Sequence, residues 1–315
     1  MCPRKLRVIS LFAWVLAAAG AGIAAPADGG AGRTVRVAAI SFVPKPLDLA
    51  GNAAALERLF RRAAAGGAQL AVAPEAALDA YVAIDIIRGS QPPARMDDMA
   101  LTLQSATMRH FQALAKELNL CLAFGFAERV GDDVYDAAVF IDQQGAIRGD
   151  YHKMQLAEGT KPDWWYDRVG AHCRAFDTPF GRCGMLICND RWNADLARIL
   201  ALDGAALILI PTDGTSGAPN DAAVLARARE NGVPIVQANQ MTETLIVNGG
   251  AIAEMERGTN LVTFGEVTLA PARPAAPAER DALEARFLEW RRQEMPKRAE
   301  KFLSEIHPAA STPGS

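Results

Sequence analysis

Histidine is scarce in this chain, with four in 315 residues. The metalloprotease spacing H-E-x-x-H is missing, which removes the helix that would present two zinc ligands on one face. No G-x-S-x-G occurs, so a serine nucleophile lacks its usual strained elbow. Cysteine is also sparse, five residues with no C-x-x-C, which argues against a thioredoxin-like motif or a zinc ribbon. Basic charge is not in excess: 33 Lys plus Arg face 36 Asp plus Glu, and no basic run lies in the body of the chain. A surface that tracks phosphates needs such a run, so no nucleic acid partner is expected. After residue 25 no stretch is long and apolar enough to span a bilayer. There is no internal repeat.

What is present is a chain that is half apolar, enough to bury one large core. Its first 25 residues stand apart. Arg4, Lys5 and Arg7 precede an uncharged stretch from Val8 to Ala25 that ends in AGIAA before Pro26. This is the plan of a secretory signal peptide with cleavage near Ala24 or Ala25, and the alternative is an uncleaved anchor. Export, periplasmic or secreted, is the expectation, and removal of residues 1–25 shifts the net charge from −3 to −6. In an oxidising compartment Cys121, Cys173, Cys183 and Cys188 then matter. Cys183 and Cys188 point to opposite faces of one strand and cannot bridge. Cys173 and Cys183 flank the turn DTPFG (177–181), and their pairing stays open.

Reactive side chains gather at the ends of apolar runs. Arg182 to Ile187 reads as a buried strand, Cys188 stands where it stops, and Asn193 caps the helix that follows. Backbone N–H groups at such a corner are available to an oxyanion. The competing reading is a buried small hydrophobe, the commonest fate of a free cysteine. Glu75 closes the run QLAVAPE (69–75), and Lys153 lies just beyond a third strand in GDYHKMQL (149–156). In open α/β sheets sites form outside the carboxyl ends of strands.

The remaining pattern alternates strand and helix. Strands are expected over 34–42, 120–128, 134–142, 205–210, 233–238, 244–247 and 261–267. Helices are expected over 52–65, 98–119, 194–202 and 222–231, with a long loop over 76–97. APARPAAPA (270–278) reads as a linker, and 279–306 as an amphipathic helix that packs on its own domain or a sister subunit. The alternation implies a layered α/β domain.

Taken together, AVAPE, YHKMQL and GRCGMLICNDRW resemble the nitrilase superfamily of carbon-nitrogen hydrolases, whose catalytic set is Glu, Lys and Cys in that chain order. The resemblance covers 33–269 and includes VYDAAVFIDQQGAI (134–147) and ARARENGVPIVQANQ (226–240). It implies a four-layer αββα sandwich and a homo-oligomer. It also implies a small-molecule amide, nitrile or carbamoyl substrate, and chemistry that needs no metal or cofactor. Glu75 is then the base, Cys188 the nucleophile, and Lys153 with the Asn189 backbone N–H the oxyanion site. Glu158 is the foremost candidate for the family's second glutamate, with Asp163 and Asp167 as alternatives. ICNDRW resembles the corresponding segment of N-carbamoyl-D-amino-acid amidohydrolases, which carry two arginines there for a substrate carboxylate. Here the pair is Arg191 and Trp192. Arg191 is therefore a candidate substrate ligand, or else the partner of Asp190 or Asp195. Trp164 either lines the pocket or packs.

Overall fold

A computed structural model describes residues 32–308, apart from Thr215, Thr242 and Ala272. The expected signal peptide, residues 1–25, lies outside the described residues.

Strand β1 (Thr34–Ser41) alternates its faces, and the alternation divides the core. Val35, Val37 and Ala39 join one apolar cluster, while Ala38 and Ile40 join another with Leu56, Phe60 and Phe111. Helix α1 (Leu49–Ala65) starts three residues before the expected position 52, because the Asp48 side chain caps it at the Gly51 N–H. After β2 (Leu70–Val72) the segment expected to be a loop contains two short helices, α2 (Val82–Ile87) and α3 (Arg95–Met99). Their Val82, Ile86, Met96 and Met99 are buried together with Trp164. Tertiary packing stabilises helices too short to persist alone. The long helix expected over 98–119 is shorter, α4 (Ala106–Leu118), because Ser105 caps it at the Met108 N–H. Leu101, inside the expected helix, instead bridges to Glu128.

Strands β3 (Cys121–Val130), β4 (Asp133–Ile141) and β5 (Ile147–His152) form an antiparallel meander. Then come β6 (Phe176–Thr178), β7 (Gly181–Met185), α5 (Ala194–Leu202), β8 (Leu207–Thr212), α6 (Ala218–Asn231) and β9 (Ile235–Asn239). Hairpin β10 (Glu243–Asn248) and β11 (Ala251–Arg257) follows, then β12 (Leu261–Thr268) and α7 (Pro277–Ile306). Strand β11 was not expected, and all seven of its residues are exposed, so it carries no apolar alternation to read.

The sheet runs β5-β4-β3-β2-β1-β9-β8-β7-β6, with β12 on β1 and the β10–β11 hairpin on β9. Its two ends meet: the ring of Phe140 on β4 packs 5.5 Å from that of Phe176 on β6. A sheet whose ends meet has two halves facing across one apolar interior, and it approaches a barrel. Helices α1 and α4 cover one half, and Leu196, Ile199 and Val224 of α5 and α6 pack on the other. This is the expected layered α/β architecture. Helix α7 buries Phe287, Met295 and Ala299 against the same domain. Cys121, Cys173, Cys183 and Cys188 are free thiols, and Cys183 lies opposite Phe176, not Cys173.

Candidate active site

Three strand ends bring Glu75, Lys153 and Cys188 together. Glu75 follows β2 and Pro74 and is wholly buried. Its turn is clamped to β3 by Gly125 N to Pro74 O (2.9 Å) and Ala77 N to Gly125 O (3.0 Å). A Cβ at position 125 would stand 2.5 Å from Glu75 Cα, so only glycine permits this approach. Gln240 Nε2 donates to Glu75 O at 2.8 Å. Lys153 is the first residue past β5, and its N–H donates to Asp136 O of β4.

Cys188 opens a single 3-10 turn (Cys188–Trp192) between β7 and α5. Its φ is 41°, left-handed backbone that costs a residue with a Cβ about 1–2 kcal/mol. Asp190 holds the conformation: its carboxylate accepts from Ile187 N (2.9 Å), Gln155 N (2.8 Å) and Tyr151 OH (2.8 Å). The corner is fixed in a shape the chain would not choose, as functional sites often are.

The polar contacts form one network. Lys153 Nζ donates to Glu75 Oε1, to Asp136 Oδ2 at 2.9 Å and to Tyr81 OH at 3.3 Å. Tyr81 OH donates to Glu158, 2.9 and 3.1 Å from its two oxygens. Backbone atoms of Asp213 join Glu75 to Cys188: Asp213 N donates to Glu75 Oε2 (2.7 Å), and the Cys188 thiol donates to Asp213 O (3.1 Å). Burial opposes charge on Lys153, but Asp136 and Glu75 outweigh it and hold its pKa well above the lysine range. Burial, then Glu75, pushes the Cys188 thiol up to about 12, against the pull of Lys153 and Arg191. The resting thiol is therefore protonated, and attack needs a base to take its proton.

A carbon-nitrogen hydrolase family profile matches residues 36–258 of the chain. The chain belongs to the carbon-nitrogen hydrolase family. This hydrolase cleaves non-peptide C–N bonds. It is 31% identical to a citrullinase of Francisella tularensis over 52% of this chain and 56% of that protein, little more than half its length. It is 28% identical to an N-carbamoylputrescine amidase of Arabidopsis thaliana over 74% of this chain and 77% of that one. Its fold matches an amidase from Nesterenkonia sp. with a TM-score of 0.61 at 22% identity, covering 82% of this chain and 96% of the other.

The structure places the other candidates as follows. Glu158 is buried and reaches Lys153 through Tyr81, so it acts on the lysine at one remove. Asp167 is buried beside Glu158, whereas Asp163 is exposed and pairs with Lys161 at 3.5 Å, away from the network. Asn189 Nδ2 donates to Gln155 O at 3.0 Å, so its side chain is engaged within the fold. Arg191 is wholly buried, its Nη1 3.4 Å from Cys188 Sγ, while Asp195 pairs with Arg286. Trp164 packs with Val82, Ile86 and Ala299 under α7, and Lys161 lies over its ring. It is a packing residue in this fold.

Asp136, Tyr81 and Asp213 were missed by the sequence reading. A charged residue inside the apolar run of β4 was the signal for Asp136, since a buried charge demands a partner. For Asp213 the signal was its place just past buried strand β8. Glu128, Asp150 and His152 have ligand atoms within 4.8 Å of one another, but Glu128 and His152 already pair at 2.9 Å, outside the triad.

Proposed function

We propose that the protein is an exported amidase that hydrolyses a small non-peptide amide through Glu75, Lys153 and Cys188, releasing ammonia or an amine. The observation that carries this reading is the shared Asp213 backbone, which joins the carboxylate of Glu75 to the thiol of Cys188 while Lys153 holds the other carboxylate oxygen. On substrate binding the thiol attacks the carbonyl carbon as Glu75 takes its proton. Lys153 and the Asn189 N–H hold the oxyanion, each donor contributing on the order of 3 kcal/mol. Glu75 returns the proton to the departing nitrogen, leaving a thioester on Cys188. It then draws a proton from water as the water oxygen attacks the thioester carbon; the C–S bond breaks, the acid leaves, and Glu75 returns the proton to the Cys188 sulfur.

Carbamoyl substrates are the second reading, favoured by the names of the citrullinase and N-carbamoylputrescine amidase relatives. A carbamoyl group offers the same carbonyl carbon and a nitrogen leaving group. Nitrile hydrolysis uses the same three residues. A homo-oligomer belongs to this proposal, as does export directed by residues 1–25. N-terminal sequencing of protein recovered outside the cytoplasm tests export: a chain starting near Pro26 supports it, and retention inside with Met1 in place counts against it. The activity test is ammonia release by residues 26–315 from primary amides, nitriles and N-carbamoyl compounds, beside Cys188→Ala. Release that survives the substitution defeats the mechanism.

A further inference from the structure

Glu243, Asn220, Gln237 and Thr212 are fully buried, and they form one chain of hydrogen bonds that ends a residue before Asp213. Its direction is set at the far end, because a carboxylate can only accept. Glu243 accepts from Asn220 Nδ2 (3.0 Å), Arg257 Nε (3.0 Å) and Gly217 N (3.3 Å). Burial opposes its charge, but Asp221 and these donors outweigh burial and hold its pKa below the carboxylate range. With its NH2 turned to Glu243, Asn220 pairs amide to amide with Gln237. Asn220 Nδ2 donates to Gln237 Oε1, and Gln237 Nε2 donates to Asn220 Oδ1, each at 3.0 Å. Gln237 Nε2 also donates to Thr212 Oγ1 at 3.1 Å, and the Thr212 hydroxyl donates to Ile210 O at 3.2 Å. Every bond from Glu243 to Thr212 thus runs one way.

Thr212 orients the next peptide. Its C=O and the Asp213 N–H belong to a single planar unit. The C=O accepts from Gln240 N at 3.1 Å, and the N–H donates to Glu75 Oε2 at 2.7 Å. Gln240 Nε2 in turn holds Glu75 O at 2.8 Å, and Asp213 O accepts from the Cys188 thiol. A tilt of this peptide therefore disturbs the Glu75 carboxylate, its backbone tether and the thiol together. We propose that Glu243, Asn220 and Gln237 are positioning residues for the hydrolysis, whose chain of hydrogen bonds fixes Thr212 and so aims the Asp213 peptide between base and nucleophile. The proposal rests on the amidase reading and adds to it the groups that hold that peptide in place.

The test sets Thr212→Val, which keeps the shape and removes the acceptor, against Thr212→Ser, which keeps the hydroxyl and removes a methyl. A packing role makes serine the worse substitution, whereas the positioning role makes valine the worse in kcat. Per folded protein, Thr212→Val is expected to lose at least about tenfold in kcat with KM within about twofold, part of the ~100-fold that a 1 Å displacement costs. Thr212→Ser is expected to recover most of that loss. Glu243→Gln is expected to lower kcat severalfold, and in the double variant with Thr212→Val the two losses are expected not to multiply, because one break already disconnects the chain. Valine as active as serine, or losses that multiply in full, overturns the proposal. Alkylation of Cys188 by iodoacetamide, read from peptide mass, gives a ranking without turnover: slower in Thr212→Val and Glu243→Gln than in wild type and Thr212→Ser. Should Thr212→Val fail to fold, Glu243→Gln alkylated at the wild-type rate overturns the proposal. No hydrolysis by wild type, with that alkylation order kept, defeats the amidase reading and leaves the positioning chain standing. Hydrolysis by wild type, with equal rates in the two Thr212 variants, does the reverse.

Discussion

Gly125→Ala tests whether the base is positioned by backbone contact. The added methyl would meet Glu75 Cα at 2.5 Å, Ala76 N at 2.7 Å and Glu75 C at 2.9 Å. Carbon contacts relax at about 3.5–4.0 Å, so the Glu75 turn must retreat by about 1 Å. It has no slack for this, since Gly125 bonds Pro74 and Ala77, Gln240 holds Glu75 O, and Asp213 N holds its carboxylate. Overpacking of this kind costs about 1–3 kcal/mol of stability. A displacement of about 1 Å at a reacting group costs on the order of 100-fold in rate. Steady-state ammonia release, with the folded fraction fixed by circular dichroism and the urea midpoint, separates the two effects. The expected result is a large fall in kcat, a smaller change in KM and a lower midpoint. A folded variant with kcat within threefold of wild type would refute the claim that this contact sets the base.

Three further outcomes follow from the same geometry. Lys153→Met leaves Glu75 and Asp136 buried and facing each other without their cation, so activity is expected to fall at least about 100-fold and stability by about 3–5 kcal/mol at neutral pH. Urea midpoints should partly recover on acidification, and an unchanged midpoint at pH 7 contradicts the pairing. Cys188→Gly relieves left-handed backbone that Cys188→Ala retains, so the glycine variant should unfold at the higher urea concentration, by about 1 kcal/mol; the reverse order speaks against strain at the nucleophile. Asp79, raised mainly by burial to about 7, and Asp190 and Asp213, raised by burial to about 6, bind more protons folded than unfolded. Their contribution is greatest below pH 4 and is lost as pH rises through 6 to 7, so the melting temperature should fall from pH 5 to 8. Asp79→Asn should flatten that slope, and a melting curve that rises with pH in both proteins would contradict it.

The strands that carry Glu75 and Cys188 were legible because buried strands read as apolar runs, and a reactive residue at the end of such a run stands out; β5, before Lys153, reads IRGDYH and is only partly buried. Helices α2 and α3 were not legible, because six and five residues in a stretch rich in turn formers carry no period of their own. They exist through packing with Trp164 and α7. The helix expected over 98–119 begins only after the Ser105 cap. Tyr81 and Asp136 reach Lys153 only when β4, β5 and the turn after Glu75 stand side by side, a relation no local pattern encodes. The bond from Asp213 N to Glu75 is less legible still, since a backbone amide leaves no mark in a sequence.

The most direct test is the mass of Cys188 during turnover. Protein quenched with acid while hydrolysing a primary amide, then digested, should show the acyl mass of that substrate on the peptide containing Cys188. One ammonia should be released per acyl group in the first turnover, and both signals should vanish in Cys188→Ala. Ammonia released at wild-type rate with Cys188 unmodified, or from the Cys188→Ala protein, would contradict the thioester mechanism.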